Sequence, residues 1–162
     1  MNEIVLLDTS VYLNILDVPG WNQDRDQILN DFEVRIKSGD IFLLPMATIW
    51  ETGNHIADVK NGAHRRKYAE ILVSQVMAAL EGETPYRATH FPDKSEFGSW
   101  ISDFPEYAQI NKSEKKTREG VSLSDMSIIK EWEMLCERHS MSSVLIWSLD
   151  ADLASYHRVP GK

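Results

Sequence analysis

Three short apolar runs constrain this chain more than any other feature of it. They are Ile4, Val5, Leu6 and Leu7; Ile41, Phe42, Leu43 and Leu44; and Val144, Leu145, Ile146 and Trp147, which follow Ser143. None alternates with polar residues. A strand with one face in water alternates, so an unbroken run needs cover on both faces, as in a parallel sheet between helices. The segments between the runs supply those helices. Residues 24–37 carry Ile28, Leu29, Phe32 and Ile36 at helical spacing, and Ser38, Gly39 and Asp40 then make a stop and a turn. Ile49, Trp50, Ile56 and Val59 predict a helix after Pro45. Residues 64–80 predict another, with Tyr68, Ile71, Leu72, Val76, Met77 and Leu80 on its apolar side. Residues 122–138 read most clearly of all. Ser122 and Ser124 offer N-caps, Asp125 falls in the first turn, and Ile128, Ile129, Trp132, Leu135 and Cys136 share one face. The alternation predicts an α/β domain with a mostly parallel central sheet and helices on both faces.

The 162 residues predict one domain, 1–162, with a core that needs no disulfide or zinc staple. The single cysteine, Cys136, excludes an intrachain disulfide and any zinc site of paired thiolates. On an apolar helix face it reads as packing, and the expected compartment is a reducing cytoplasm. No apolar stretch approaches the ~18 residues that span a bilayer, so no membrane partner is expected. The first residues, Met1, Asn2, Glu3 and Ile4, lack the basic start and apolar run of a signal peptide. Residues 82–120 differ in character. They hold Pro85, Pro92 and Pro105, a short predicted helix around Phe97, Trp100, Ile101 and Phe104, and a basic run at 112–118. They are too poor in apolar residues to hold a core of their own and read as a surface elaboration. Residues 158–162 read as a frayed end.

Four acids fall at telling places. Asp8 is the first residue after the first run, and Asp150 comes three residues after the third. Glu51 lies in the helical segment after the second. Ligands bind at the carboxyl ends of strands in open parallel sheets. Asp125 opens a helix that runs antiparallel to the strand after it, which returns its start to the same edge. Four carboxylates do not pack together unpaired, because like charges repel and raise one another's pKa. Hard divalent cations such as Mg²⁺ and Mn²⁺ remove that repulsion. Oxygen-only acidic sites of this kind activate water for in-line attack on phosphorus. Singly, each acid has a plainer explanation: Asp8 and Asp125 as helix-start residues, Asp150 and Asp152 as turn residues, Glu51 as a surface acid. The ordered combination carries the signal.

In that order the sequence resembles the PIN-domain family, the nuclease fold of many toxin ribonucleases in toxin–antitoxin modules. The motifs are Ile-Val-Leu-Leu-Asp8-Thr9-Ser10, Thr48-Ile-Trp-Glu51-Thr-Gly-Asn54, Leu123-Ser124-Asp125 and Ser148-Leu149-Asp150-Ala-Asp152. The resemblance runs from residue 4 to about 155. It implies an Mg²⁺- or Mn²⁺-dependent endoribonuclease with Asp8, Glu51, Asp125 and Asp150 as the metal-facing acids and Asp152 as a further contact. It implies accessory roles for Ser10, or alternatively Thr9, and for Ser148 in place of the family's usual Thr. Asn54, one turn from Glu51, either orients a metal-bound water or is an ordinary surface residue of that helix. RNA is the implied substrate, and an antitoxin or a second copy in a homodimer the implied protein partner. The choice of RNA over DNA comes from the resemblance alone. Two departures stand out: the 82–120 segment is longer than in compact toxins, and the last edge strand is minimal or missing.

The net charge is -8, which argues against a protein that simply coats nucleic acid. Two basic patches offer local guidance instead: Arg65, Arg66 and Lys67 after His64, and Lys112, Lys115, Lys116 and Arg118. Either contacts phosphates or is simply a solvated face. The five histidines show no metal-ligand spacing, and the tryptophans read as core or interface, with Trp100 the candidate exception. Its face, with Phe97, Ile101 and Phe104, suits a partner helix. A haloacid-dehalogenase-like phosphatase needs a second Asp where Ser10 stands, and a receiver domain lacks its acidic pair and its acceptor Asp. A catalytically silent PIN-like binding module and a solitary DNA or RNA nuclease remain the alternatives.

Overall fold

Each apolar run becomes a strand, although Ile41 at the start of the second is 47% exposed. The computed structural model describes residues 2–162. Strand β1 (Glu3–Leu7) lies between β2 (Ile41–Leu44) and β4 (Ser143–Trp147), parallel to both. Along β1, Val5 and Leu7 point into one core with Phe42, Leu44, Leu145 and Trp147. Ile4 and Leu6 point into a second core with Val144, Ile146, Ile128 and Ile129. Successive side chains point to opposite faces, so two cores consume every position from Ile4 to Leu7 and leave no room for polar alternation there.

The sheet has five strands in the order β3-β2-β1-β4-β5. Strands β1 to β4 run parallel, and β5 (His157–Arg158) pairs antiparallel with β4. From β1 the chain moves outward through β2 to β3, then crosses back to lay β4 on the other side. The order therefore reverses between β1 and β4, which is where an open α/β sheet forms a crevice.

The first face is covered by α1 (Thr9–Ile15), α2 (Arg25–Ser38), α3 (Met46–Ala57) and α4 (Gly62–Leu80). Gly39 closes α2 in the left-handed region at φ 79°, a conformation that suits glycine. The Thr48 hydroxyl, fully buried, donates to the Leu7 carbonyl at 2.7 Å and pins α3 to the end of β1. The second face is covered by α6 (Leu123–Arg138), with α7 (Ala151–Ala154) at its edge. The fold is α/β, with a mostly parallel sheet between helical layers.

The structure corrects several expectations. Residues 82–120 are more than an elaboration of the surface. Tyr86–Ala88 form β3, an edge strand paired with β2, and Tyr86 is buried against Tyr12. The short helix expected around Trp100 is α5 (Lys94–Gln109), 16 residues long, which starts on an Asp93–Glu96 capping box and runs through Pro105. On α4, Met77 and Leu80 are about half exposed, because only part of the expected apolar side meets the sheet. Arg158 is not frayed: its guanidinium donates to the carbonyls of Cys136, His139 and Ser142. The last edge strand is minimal, at two residues.

Candidate functional site

Asp8 follows β1 directly at the crevice between β1 and β4, and its N–H continues their ladder to the Trp147 carbonyl at 3.0 Å. Its extended backbone makes it the N-cap of α1, yet its side chain caps nothing. The carboxylate turns sideways instead. Oδ2 accepts from the Ser10 hydroxyl at 2.8 Å and from the Ser148 hydroxyl at 2.7 Å. Those hydroxyls are themselves fixed: Leu149 N–H donates to Ser10 Oγ, and Asp150 N–H to Ser148 Oγ, both at 3.0 Å. A buried carboxylate is thus held by two oriented donors rather than left unpaired.

The next residue, Thr9, donates to Glu51 Oε2 at 2.9 Å, which brings α3 to the same edge. Both accessory hydroxyls allowed by the sequence are therefore engaged, Ser10 on Asp8 and Thr9 on Glu51. Asp150 caps α7, accepting from Asp152 N–H at 2.9 Å. Asp125 stands in the first turn of α6, whose N-cap is Ser122. Glu51, Asp8, Asp150, Asp125 and Asp152 thus lie along one connected network at one sheet edge. Asn54 is exposed, lining a groove beside Glu51.

The sequence did not foretell what joins the last three acids. Lys112 Nζ lies 3.0 Å from Asp125 Oδ2 and 3.3 Å from Asp150 Oδ2. Lys116 Nζ lies 2.9 Å from Asp152 Oδ2 and 3.4 Å from Asp150. Burial alone lowers the pKa of Lys112, but the bonds and charges of Asp125 and Asp150 outweigh it, and the pKa is raised well above its usual value. Burial likewise raises Asp150, while the Asp152 N–H and the two lysines more than offset it and hold its carboxyl below the usual range. Lys116, counted in sequence as a phosphate-binding candidate, is committed to these acids, as is Lys112. Lys115 and Arg118 stay exposed on the same loop. In the other basic patch, Arg65 donates to the Val59 and Lys60 carbonyls and Arg66 pairs with Glu70 one turn on. Lys67 lies over the Tyr68 ring.

The donor set suits a hard divalent cation in kind, being all carboxylate oxygen. Asp125 and Asp150 already share a cation, the Lys112 ammonium. Yet among the described residues no three acid, histidine or cysteine side chains are arranged to hold one metal ion. The expected four-acid metal centre is therefore not assembled with the lysines in place: Asp8 and Glu51 are engaged by hydroxyls, the other acids by ammonium groups.

Beside Glu51 a groove of about 480 Å³ runs between α3, α5 and α6, walled by Met46, Trp50, Phe97, Trp100 and Ile101. Trp50 is 69% exposed, so it, more than Trp100, is the tryptophan that departs from a core role. Glu131 lines the groove but is 3% exposed. Thr89 donates to its Oε1 at 3.2 Å, and Oε2 has no hydrogen-bond partner among the described residues. Burial pushes its pKa up to about 8, so the carboxyl is largely protonated at neutral pH. No signal in the sequence marked Glu131, because its helix positions read as an ordinary mixed face. Cys136 is buried, and burial raises its thiol. Among the described residues no helix is long and apolar enough to cross a membrane. No protein-family model matches the sequence, and no curated protein matches it.

Proposed function

We propose that this chain is a metal-dependent endoribonuclease of the PIN type, acting as the toxin of a toxin–antitoxin pair in the cytoplasm. One observation carries the reading: five acids, Asp8 after β1, Glu51 in α3, Asp125 in α6, Asp150 after β4 and Asp152 in α7, lie along the edge where the strand order reverses, with Asp8 held by two oriented hydroxyls. Such fixed oxygens at a ligand-binding crevice suit phosphodiester chemistry better than a structural role, which would be served by one cap. Asp8, Glu51, Asp125 and Asp150 would hold Mg²⁺ or Mn²⁺, with Asp152 beside them. A bound ion would supply Lewis acidity at phosphorus and neutralise the charge that develops there. The chain's own contribution is orientation: Ser10 and Ser148 fix Asp8, and Thr9 fixes Glu51; the exposed Lys115 and Arg118 would contact substrate phosphates. RNA as substrate, and an antitoxin or second copy as partner, rest on the family resemblance.

The Lys112 bridge favours a second reading, a PIN-like module that binds without cutting, since that ammonium stands between Asp125 and Asp150. Purified protein with Mn²⁺ and mixed RNA separates the two. The nuclease reading expects cleavage that falls about 100-fold or more in Asp8→Asn, which keeps an acceptor for Ser10 and Ser148. Equal cutting by wild type and Asp8→Asn, or none by either, rejects it.

A further inference from the structure

The second apolar run is fully covered on one face only. Phe42 and Leu44 point into the first core, while on the other face Ile41 is half-exposed and Leu43 only partly buried. The layout of the second layer is the cause. Its long helix against the sheet, α6, packs on β4, and α5 packs on α6 rather than on β2 or β3. The uncovered stretch is a cavity of about 300 Å³, floored by Ile4, Ile41 and Leu43 and walled by Met134 and Leu135. That is the size of the smaller ligand pockets. It is too small to seat a stable protein interface, which takes about 800 Å² from each partner.

The rim of this cavity is cationic, on a chain of net charge -8. Arg87 pairs in register with Leu43, so its side chain stands on the same open face. It is exposed and makes no ion pair among the described residues. Arg138 enters from the last turn of α6, and the acid nearest to it is Glu96, at 3.9 Å. Glu96 is already shared with His90 at 2.8 Å. The one acid in the wall is Glu131, whose carboxyl burial keeps largely neutral at neutral pH and whose Oε2 has no partner among the described residues. Carbonyls at a helix C-terminus repel anions, but here Arg158 occupies those of Cys136 and His139. Acids elsewhere on the chain act weakly at this place, because salt screens exposed charges beyond about 8–10 Å. We propose that this cavity binds a small organic anion with an apolar body, its hydrocarbon over Ile41 and Leu43 and its carboxylate, sulfonate or phosphate head at Arg87 and Arg138. Guanidinium forks match the oxygens of such heads. The cavity shares no residue with the Asp8 network, and the inference does not depend on the nuclease reading.

Fluorescence titration of the full chain with anilinonaphthalene sulfonate, a dye that brightens in apolar sites, tests this against its uncharged parent, phenylnaphthylamine. The sulfonate is expected to bind with a dissociation constant in the micromolar range. Arg87→Gln with Arg138→Gln is expected to weaken the sulfonate about tenfold or more and to leave the uncharged dye within about twofold. Ile41→Glu, at a half-exposed position, places a negative charge on the floor and is expected to weaken the sulfonate as strongly. Lys115→Gln with Arg118→Gln removes the same charge elsewhere, and Trp50→Ala alters the groove beside Glu51; each is expected to change sulfonate binding by less than about twofold. Thermal melts show that each variant is folded. No binding of the sulfonate by the wild type, an equal loss for both dyes in the arginine variant, or an equal loss of sulfonate in either control overturns the proposal.

Discussion

The Ser148 hydroxyl donates to Asp8 Oδ2 at 2.7 Å, joining two residues 140 positions apart across the crevice between β1 and β4. The acceptor is a nearly buried carboxylate, so the bond is charge-assisted and its loss strands a desolvated charge. Ser148→Ala is expected to lower stability by about 2 kcal/mol in urea denaturation, and Ser148→Thr to restore most of it. Ser10→Ala should cost a similar amount. The double variant should cost more than the sum of the two, because the last donor to Oδ2 is then gone. Strict additivity would mean that the two hydroxyls do not share Asp8.

Glu131 sets a pH dependence of folding. Burial raises its folded pKa to about 8 from an ordinary 4.5. The folded state therefore holds a proton that the unfolded chain releases at lower pH. Its contribution is complete below about 4.5 and drains away as pH rises toward about 8. Across that window the unfolding free energy should fall with pH by up to about 1.4 kcal/mol per unit from this group. Glu131→Gln, neutral at every pH, is expected to flatten the slope and to be the more stable protein at pH 8.5. A wild-type profile parallel to that of Glu131→Gln would show that the carboxyl ionises normally.

Much of the architecture was legible because its cause is local. The runs at Ile4 and Val144 have no polar alternation and are buried on both faces; in the run at Ile41, Phe42 and Leu44 are buried while Ile41 itself is 47% exposed. Asp8, Asp125 and Asp150 were legible from their places next to strand ends and a helix start. Strand β3 was not, since three residues after Pro85 carry no period, and Tyr86 becomes a strand residue only by pairing with Phe42. Only a short stretch of α5 was legible, from Phe97, Trp100, Ile101 and Phe104; the capping box and the packing on α6 extend the helix in both directions and carry it past Pro105. Lys112 and Lys116 looked like a solvated basic run. Their inward turn depends on the Gly120–Ala108 approach, a contact between neighbouring elements that no pattern within 112–118 encodes.

Arg158 should matter more than a residue near a chain end usually does. Its guanidinium gathers the carbonyls of His139 at 2.6 Å, Ser142 at 2.8 Å and Cys136, closing the turn between α6 and β4 against β5. Arg158→Ala leaves those carbonyls to water or unpaired and frees the two-residue strand. A loss of about 2–3 kcal/mol is expected in urea denaturation. Arg158→Lys should recover less than half of it, because one ammonium cannot span three carbonyls in a fork. Amide exchange at Val144 and Leu145 would report whether β5 has detached.

The contact between Lys112 and Asp125 can be weighed against an ordinary surface pair in the same protein. Their side chains are 16% and 13% exposed at 3.0 Å, whereas Lys37 and Glu33 are 72% and 64% exposed at 2.5 Å. Distance alone would rank the second pair higher. Solvent reverses the order, because water and salt screen the exposed charges while the carboxylates of Asp125 and Asp150 surround a partly desolvated ammonium. A double-mutant cycle with Lys112→Met and Asp125→Asn is expected to give a coupling of about 1–2 kcal/mol that largely survives 0.5 M salt. The cycle on Lys37 and Glu33 should give a coupling near the limit of detection that vanishes in the same salt. Equal couplings for the two pairs would mean that Lys112 rests in solvent rather than between the acids.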